Sequence, residues 1–189
     1  MADNFTIEGR LKEIPDIQRN WMWNLIIPNI KIAAPQSAKL GEEDLIVRCR
    51  SFAIPPRAIE AVESNFMGMK QWFPMRPTVG GTVDATFEET EDQRIQKIFY
   101  EWSQRIFNTN PVGAFAGKST VPNKRAIARD IFLYMYRYDG SPMDKAIRFV
   151  NAWPQNVSTA AMEYAGGAAV QYTVTFQYDY WTLFPDTII

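Results

Sequence analysis

The chain has 189 residues, a length typical of one globular domain of moderate size. Hydrophobic residues make up 47% and charged residues 22% of it, which excludes a chain that is disordered throughout. The 20 basic and 21 acidic side chains nearly cancel, so no overall positive charge attracts nucleic acid or an anionic membrane.

The residue counts restrict the chemistry that the chain can perform. Histidine, the usual general base near neutral pH and the commonest metal ligand, is absent. The single cysteine, Cys49, has no second cysteine for an internal disulfide and no histidine to activate it. Ser-His-Asp catalysis, Cys-His catalysis and histidine-based metal sites are therefore excluded. Catalysis by carboxylates alone stays open, but we expect no enzyme activity and no cofactor.

No segment of the sequence is predicted to direct the chain to a membrane. Residues 1–5 lack a charged start followed by an apolar run, so a signal peptide is not expected. The most apolar stretch, residues 21–32, is interrupted by Asn24, Pro28, Asn29 and Lys31 and is too short to span a bilayer. We expect a protein made in a cytoplasm and kept there or in a particle assembled there.

The first third of the chain predicts strands followed by an unusual linker. Residues 21–27, 45–54 and 58–69 are rich in apolar and β-branched side chains and favour strands. The linker, residues 66–81, carries three Met, two Phe and one Trp among several Gly and Pro. Since an apolar loop that stays exposed marks an interaction surface, we favour an interface over packing onto the chain's own core.

The next two elements have clear periodicity. In the predicted strand 79–88, Val83, Ala85 and Phe87 face one way, and the polar side chains of Thr82, Asp84, Thr86 and Glu88 face the other. An amphipathic helix follows, with Thr90 as the expected N-cap and Gln93 completing a capping box. Its apolar stripe consists of Ile95, Ile98, Phe99, Trp102 and Ile106.

Two motifs near this helix have simpler explanations than catalysis. The acids Glu88, Glu89, Glu91 and Asp92 could supply the carboxylate pair of a glycosidase, but acids at a helix start offset its dipole, which we favour. The sequence GAFAGKS at residues 113–119 has one residue too few between its glycines for a phosphate-binding loop. It lies in a long loop, residues 108–125, rich in Gly, Pro, Asn and Ser.

The last part of the chain again predicts strands. Residues 131–138 are apolar on both faces, so we expect this strand to be covered on both sides. Residues 145–152 favour another strand, and residues 168–180 alternate apolar and polar side chains. The order of strands, one helix and strands predicts a mainly β, α+β domain rather than βαβ repeats.

The aromatic residues leave a binding module open as an alternative. The 6 Trp and 8 Tyr could stack on nucleic-acid bases. Such surfaces interleave aromatic residues with Lys and Arg, whereas the aromatic strands here carry Thr, Gln and Asp. We favour core packing and subunit interfaces, and keep a carboxylate enzyme or a monomeric carbohydrate- or nucleic-acid-binding module as rivals.

Four short motifs occur in an order that resembles a known family. They are FAIPP at residues 52–56, the helix with Phe99 and Trp102, a WPQNV turn at 153–157 and YDYW at 178–181. Together they resemble the tail tube proteins of contractile-tailed bacteriophages over about residues 20–181. The resemblance implies a β-sandwich or barrel-like subunit with one flanking helix, the fold of type VI secretion and pyocin inner tubes.

The resemblance also implies an assembly and its partners. Six copies would close into a ring whose inner strands form a continuous β-barrel, and stacked rings would form a hollow virion tube through which DNA passes during genome ejection. The expected partners are further copies of the chain, the tail sheath protein, and baseplate and tape-measure proteins. A tube-initiating baseplate protein, a terminator protein, or the tube of a phage-derived injection or secretion system stays open as an alternative.

The same resemblance divides the chain and suggests two surfaces. Residues 1–20 would be an N-terminal extension, residues 21–181 the tube domain with the inserted loop 108–125, and residues 182–189 a C-terminal tail. The inter-ring contact would be formed by Met67, Met69, Trp72, Phe73 and Met75. The polar residues that we expect along the lumen, in preference to the outer surface, are Thr82, Asp84, Thr86 and Glu88, with a net negative potential.

Overall fold

A computed structural model describes residues 22–35, 42–77, 79–106, 123–159 and 169–185. Among these residues no helix is both long and apolar enough to cross a membrane. The predicted extension 1–20, most of the loop 108–125 with its GAFAGKS segment, and residues 186–189 lie outside the described part.

Strands dominate the described residues. The strands are β1 (Trp23–Ile26), β2 (Cys49–Phe52), β3 (Ile59–Phe66), β4 (Met69–Pro77), β5 (Gly81–Glu88), β6 (Arg129–Met135), β7 (Lys145–Thr159), β8 (Gln171–Tyr178) and β9 (Tyr180–Pro185). The helices are α1 (Ile30–Ala33), α2 (Glu42–Arg48), α3 (Arg94–Ile106) and α4 (Lys124–Ile127).

Strand β7 belongs to two sheets and joins them. The seven-stranded path runs β1-β6-β7-β8-β5-β2, with β9 also on β7, and every pairing is antiparallel. The first part of β7 pairs with β6 and β9, and from Trp153 onward it pairs with β8. We call β1, β6, β9 and the first part of β7 the first wing, and the rest of β7 with β8, β5 and β2 the second wing. The mainly β class is confirmed, and the sheets are not closed into a barrel within one subunit.

The predicted alternation of β5 and β8 is confirmed and builds the core. Val83, Ala85 and Phe87 of β5 are buried, as are the apolar residues of β8 at every second position. Helix α3 covers this face, with the ring centroid of Phe99 5.1 Å from that of Phe87. The indole N–H of Trp102 donates to the carbonyl of Ile127 at 2.8 Å, which ties α4 to α3.

The predicted capping box at the start of α3 is wrong, because Gln93 has a φ of 56° and the helix begins at Arg94. Glu89 supplies the cap instead: its carboxylate accepts from the backbone N–H groups of Ile95 and Gln96 at 3.0 and 2.8 Å. The Thr90 hydroxyl accepts from the Arg94 N–H at 3.2 Å. Of the four acids, only Glu89 therefore caps the helix from outside its first turn, while Glu88 pairs with Arg50, so the favoured interpretation holds for Glu89 alone.

Three predicted boundaries differ from the structure. Residues 45–54 were expected to form one strand, but α2 extends to Arg48 and leaves only β2, because Leu45 packs into the core while Val47 is exposed. The WPQNV turn is part of β7, which absorbs an irregularity between Pro154 and Asn156 and continues. Residues 182–185, expected in a C-terminal tail, lie in β9 because Thr182 pairs with Arg148.

The prediction that residues 131–138 are covered on both faces is confirmed only in part: Phe132 is buried on the second face, whereas Tyr134 borders a groove and Tyr138 is exposed. Ile131 and Leu133 lie in the core between the wings. Phe132 points to the opposite face and is buried there as well. Its covering groups are Phe184 of β9, with ring centroids 5.8 Å apart, and the Arg148 guanidinium, 5.7 Å from the ring centre.

Candidate interaction surfaces

The most exposed apolar part of the described chain is the β3–β4 hairpin, which we call the arm. Every described side chain of β3 and β4 is exposed. The exposed large apolar residues of the arm include all five of the predicted contact residues, Met67, Met69, Trp72, Phe73 and Met75. The prediction that residues 66–81 form a linker is therefore wrong, since residues 69–77 form a strand. The prediction that the apolar side chains of this segment are exposed agrees with the structure.

The arm is formed by local interactions. Met67 and Gly68 have φ values of 50° and 78°, the positive angles that a tight two-residue hairpin turn requires. Across the two strands, Lys70 pairs with Glu63 at 2.8 Å and Arg76 with Glu60 at 3.0 Å. These exposed ion pairs join the two strands and leave the apolar side chains uncovered.

The two faces of the arm are unequally apolar. Val62 lies opposite Phe73, and Phe66 lies opposite Met69 on the same face. Trp72 lies on the other face, opposite Glu63. A two-stranded hairpin alone is marginally stable in water, and a contiguous exposed apolar patch marks an interaction site. The arm therefore has the composition of a surface that is completed by another molecule.

The second surface is the polar face of the second wing. Thr82, Asp84, Thr86 and Glu88 all lie on this face, as their spacing predicted. The register places them beside β8 residues of similar chemistry, namely Gln177, Thr175, Thr173 and Gln171. The Thr175 hydroxyl donates to the Asp84 carboxylate at 2.6 Å. The face is consequently lined by hydroxyl, amide and carboxylate groups.

One residue of this face was missed from the sequence. Arg50 of β2 forms an ion pair with Glu88. The register of β2 against β5 shifts between Cys49 and Ser51, which turns Arg50 toward the acid. The pairing of β2 with β5 could not be predicted from the sequence, because the whole arm separates the two strands and no turn motif links them. Among the described contacts of the two acids of β5, Glu88 faces a cation, whereas Asp84 faces the Thr175 hydroxyl.

The described residues offer little equipment for chemistry. They contain no group of three or more potential metal ligands. Burial raises the pKa of the Cys49 thiol to about 12, so it stays protonated near neutral pH. A groove of about 540 Å³ between β1, α1 and β6 contains Arg129 and Asp130. Arg129 donates to backbone carbonyls such as that of Ala126, and Asp130 pairs with Arg148.

Comparison with known proteins gives a family and a fold. The family model described as phage tail tube protein matches residues 18–183 of the chain. No curated protein matches the sequence. Among solved structures, the tube-terminating cap of the anti-feeding prophage has a TM-score of 0.61 at 12% identity, covering 91% of this chain and 93% of that one.

Two further structures share the fold. A chain of the sheath-tube complex of an extracellular contractile injection system, in its extended state, has a TM-score of 0.58 at 10% identity and covers 95% of this chain and 98% of its own. A chain of the sheath/tube terminator of that system has a TM-score of 0.57 at 9% identity, with coverages of 90% and 99%.

Proposed function

Because the chain belongs to the phage tail tube protein family, we propose that it is the repeating subunit of the inner tube of a contractile tail. The family gives it a structural role in the virion and no enzymatic one. In the proposed assembly six copies close into a ring, rings stack into a hollow tube, and assembly takes place in the host cytoplasm.

The observation that carries the proposal is the exposure of the arm. Its side chains are exposed on both faces, and even the large Trp72 side chain is 64% exposed. Large aromatic and Met side chains are enriched at interfaces, where they act as anchors in partner pockets. We assign the arm, with Met67, Met69, Trp72, Phe73 and Met75, to the contact between successive rings.

The polar face of the second wing fits the lumen of this tube. DNA that passes through must not be held, and each phosphate neutralised by Lys or Arg adds attraction. The ionic groups of β5 are the acids Asp84 and Glu88, and Arg50 is paired with Glu88. Ring symmetry repeats each Asp84, whose described partner is the neutral Thr175 hydroxyl, so the wall has a modest negative potential and a hydroxyl- and amide-rich lining.

The outer partners follow from the tube role. We propose that the tail sheath surrounds the tube, and that baseplate and tape-measure proteins meet it during assembly. The structures with the same fold come from a tube, a terminator and a cap of contractile injection systems. The experiment must separate this role from that of a tube-initiating or terminator protein, and the tube of an injection system is a further alternative with the same assembly.

The test is self-assembly of the purified protein. We expect electron microscopy and mass measurement to detect six-membered rings and, at higher concentration, hollow tubes, with neither metal nor nucleotide added. Loss of assembly on adding a chelator would count against the proposal. Rings that never stack indicate a terminator or initiator, and a monomer at high concentration indicates a binding module.

A further inference from the structure

Both ends of the arm return to the same place in the fold. Arg57 lies two residues before β3, and Gly80 lies in the short connection from β4 to β5, immediately before β5. Each approaches residues 178–181, where the chain leaves β8 in the second wing and enters β9 in the first. We call residues 178–181 the corner. Asp179 is the single residue between the two strands.

The leading end of the arm contacts Trp181. The Arg57 guanidinium carbon lies 5.9 Å from the centre of the indole ring, within the range of a cation–π contact. Trp181 packs partly against the hydrophobic core, so its ring is a fixed surface. This contact holds the backbone that leads into β3 against the body of the subunit.

The connection that follows the arm contacts the corner through its backbone. Gly80 has a φ of 79°, and a Cβ atom placed there would lie 2.9 Å from the carbonyl oxygen of Asp179. A side chain at this position would meet backbone that cannot rotate away. Glycine therefore permits the connection from β4 to β5 to pass this close to the corner.

The corner itself is held from two other directions. The Asp179 carboxylate accepts from Lys124 of α4 and from the Asn151 amide, the latter at 2.9 Å. Its backbone N–H donates to the carbonyl of Val150 at 3.1 Å. Asn151 lies where β7 passes between the wings, and its N–H donates to Asp130 at 3.0 Å. The corner is thus tied to α4, β6 and β7.

We propose that the corner is the positioning element of the arm and that Arg57 and Gly80 are its positioning residues. The arm buries none of its described side chains, so its direction is determined where its two ends leave the body of the subunit. The polar ties of Asp179 and the core packing of Trp181 fix that direction. In the proposed tube, and only there, this direction aims the apolar side chains at the next ring.

The direction of the arm relative to the body of the subunit can be measured whether or not the protein polymerises. A spin label at Ser64→Cys on the arm and another at Gln96→Cys on α3, in a Cys49→Ala background, report one distance. Labelled protein is diluted into a large excess of unlabelled protein so that only distances within a subunit contribute. We expect a single narrow distance distribution for the parent.

Arg57→Ala should broaden or shift this distribution, and Arg57→Lys, which keeps a cation above Trp181, should restore part of it. Arg76→Ala is the matched control, because it removes an arginine of the arm that pairs with Glu60 and does not touch the corner. Gly80→Ala should produce the larger change, provided that circular dichroism shows a folded subunit. Parent-like distributions for Arg57→Ala would overturn the proposal even if Gly80→Ala fails to fold.

Assembly provides a separate readout. If Arg57→Ala changes the distance distribution and lowers tube formation, the corner positions the arm for stacking. If the distribution changes but tubes form as in the parent, the positioning of the arm holds and its link to stacking is wrong. If the parent itself forms neither rings nor tubes, the proposed function fails, whereas the distance measurement still decides the role of the corner.

Discussion

Truncating the two aromatic side chains of the arm is the sharpest test of the inter-ring assignment. In Trp72→Ala/Phe73→Ala, the subunit should fold and form rings, because the arm contributes no described side chain to the buried core. Stacking of rings should become much weaker. The reason is that the change removes apolar surface that only another subunit can cover.

The size of the effect can be worked from exposure. Trp72 is 64% and Phe73 52% exposed, and aromatic side chains offer roughly 150–250 Å² each, so about 250 Å² is open to a partner. At about 25 cal/mol per Å² this corresponds to about 6 kcal/mol per subunit, an upper limit because ordering at an interface offsets part of it. If Trp72 and Phe73 are anchor residues worth about 2 kcal/mol each, their joint loss raises the tube-forming concentration about a thousandfold.

The assay is sedimentation of tubes over a range of protein concentrations, with electron microscopy of the pellet and supernatant. Tyr100→Ala is the matched control, since it removes an aromatic ring that is 60% exposed on α3 rather than on the arm. Its tube-forming concentration should equal that of the parent. If the double variant polymerises like the parent, the arm does not form the contact between rings and the assignment is refuted.

Three further predictions concern other parts of the molecule. Asp84→Lys should leave assembly intact but slow genome ejection, most strongly at low salt, where the charge is least screened. Glu91→Lys, at an exposed position just before α3, should leave the rate of ejection unchanged. A structure with Asp84 on the outer wall would contradict this prediction. Glu89→Ala should lower the free energy of unfolding in urea by about 1–2 kcal/mol through loss of the α3 cap, and Glu91→Ala should not. The Cys49 thiol should resist thiol reagents in the folded protein at pH 8. Because burial raises its pKa from 9.0 to about 12, the thiol ionises more readily in the unfolded chain, and the free energy of unfolding should fall between these two pH values. Cys49→Ala should remove this part of the pH dependence.

The strongly periodic elements could be predicted from the sequence alone. In β5 and β8 one face packs against α3 and the other meets solvent. Neighbouring residues such as Thr82 and Val83 are therefore alternately polar and apolar, and this alternation identifies a strand. Helix α3 was found for the same reason, through Phe99 and Trp102. Its start was misplaced, because Glu89 reaches the first-turn N–H groups from outside the helix, and sequence spacing alone does not show such a contact.

Elements without one buried face could not be recognised in this way. The arm is exposed on both faces, so β4 has no alternation, and its Gly and Pro neighbours suggested a linker. Strand β7 changes partners partway along, which made the segment after Ala152 resemble a turn. The composition of the polar face was also incomplete, since Arg50 joins it only through the pairing of β2 with β5.

The long separation of paired strands determines when a newly made subunit can acquire its arm geometry. Gly81 of β5 pairs with Tyr178 of β8, and Trp181 follows in β9. At about 5–20 residues per second, the arm emerges from the ribosome roughly 5–20 seconds before the corner that receives its two ends. During that interval β5 also has an open edge, which can pair with another chain. The open edge of β5 is therefore exposed through about the second half of translation, and in the proposed tube the arm can be directed at a neighbouring ring only after β9 has been made.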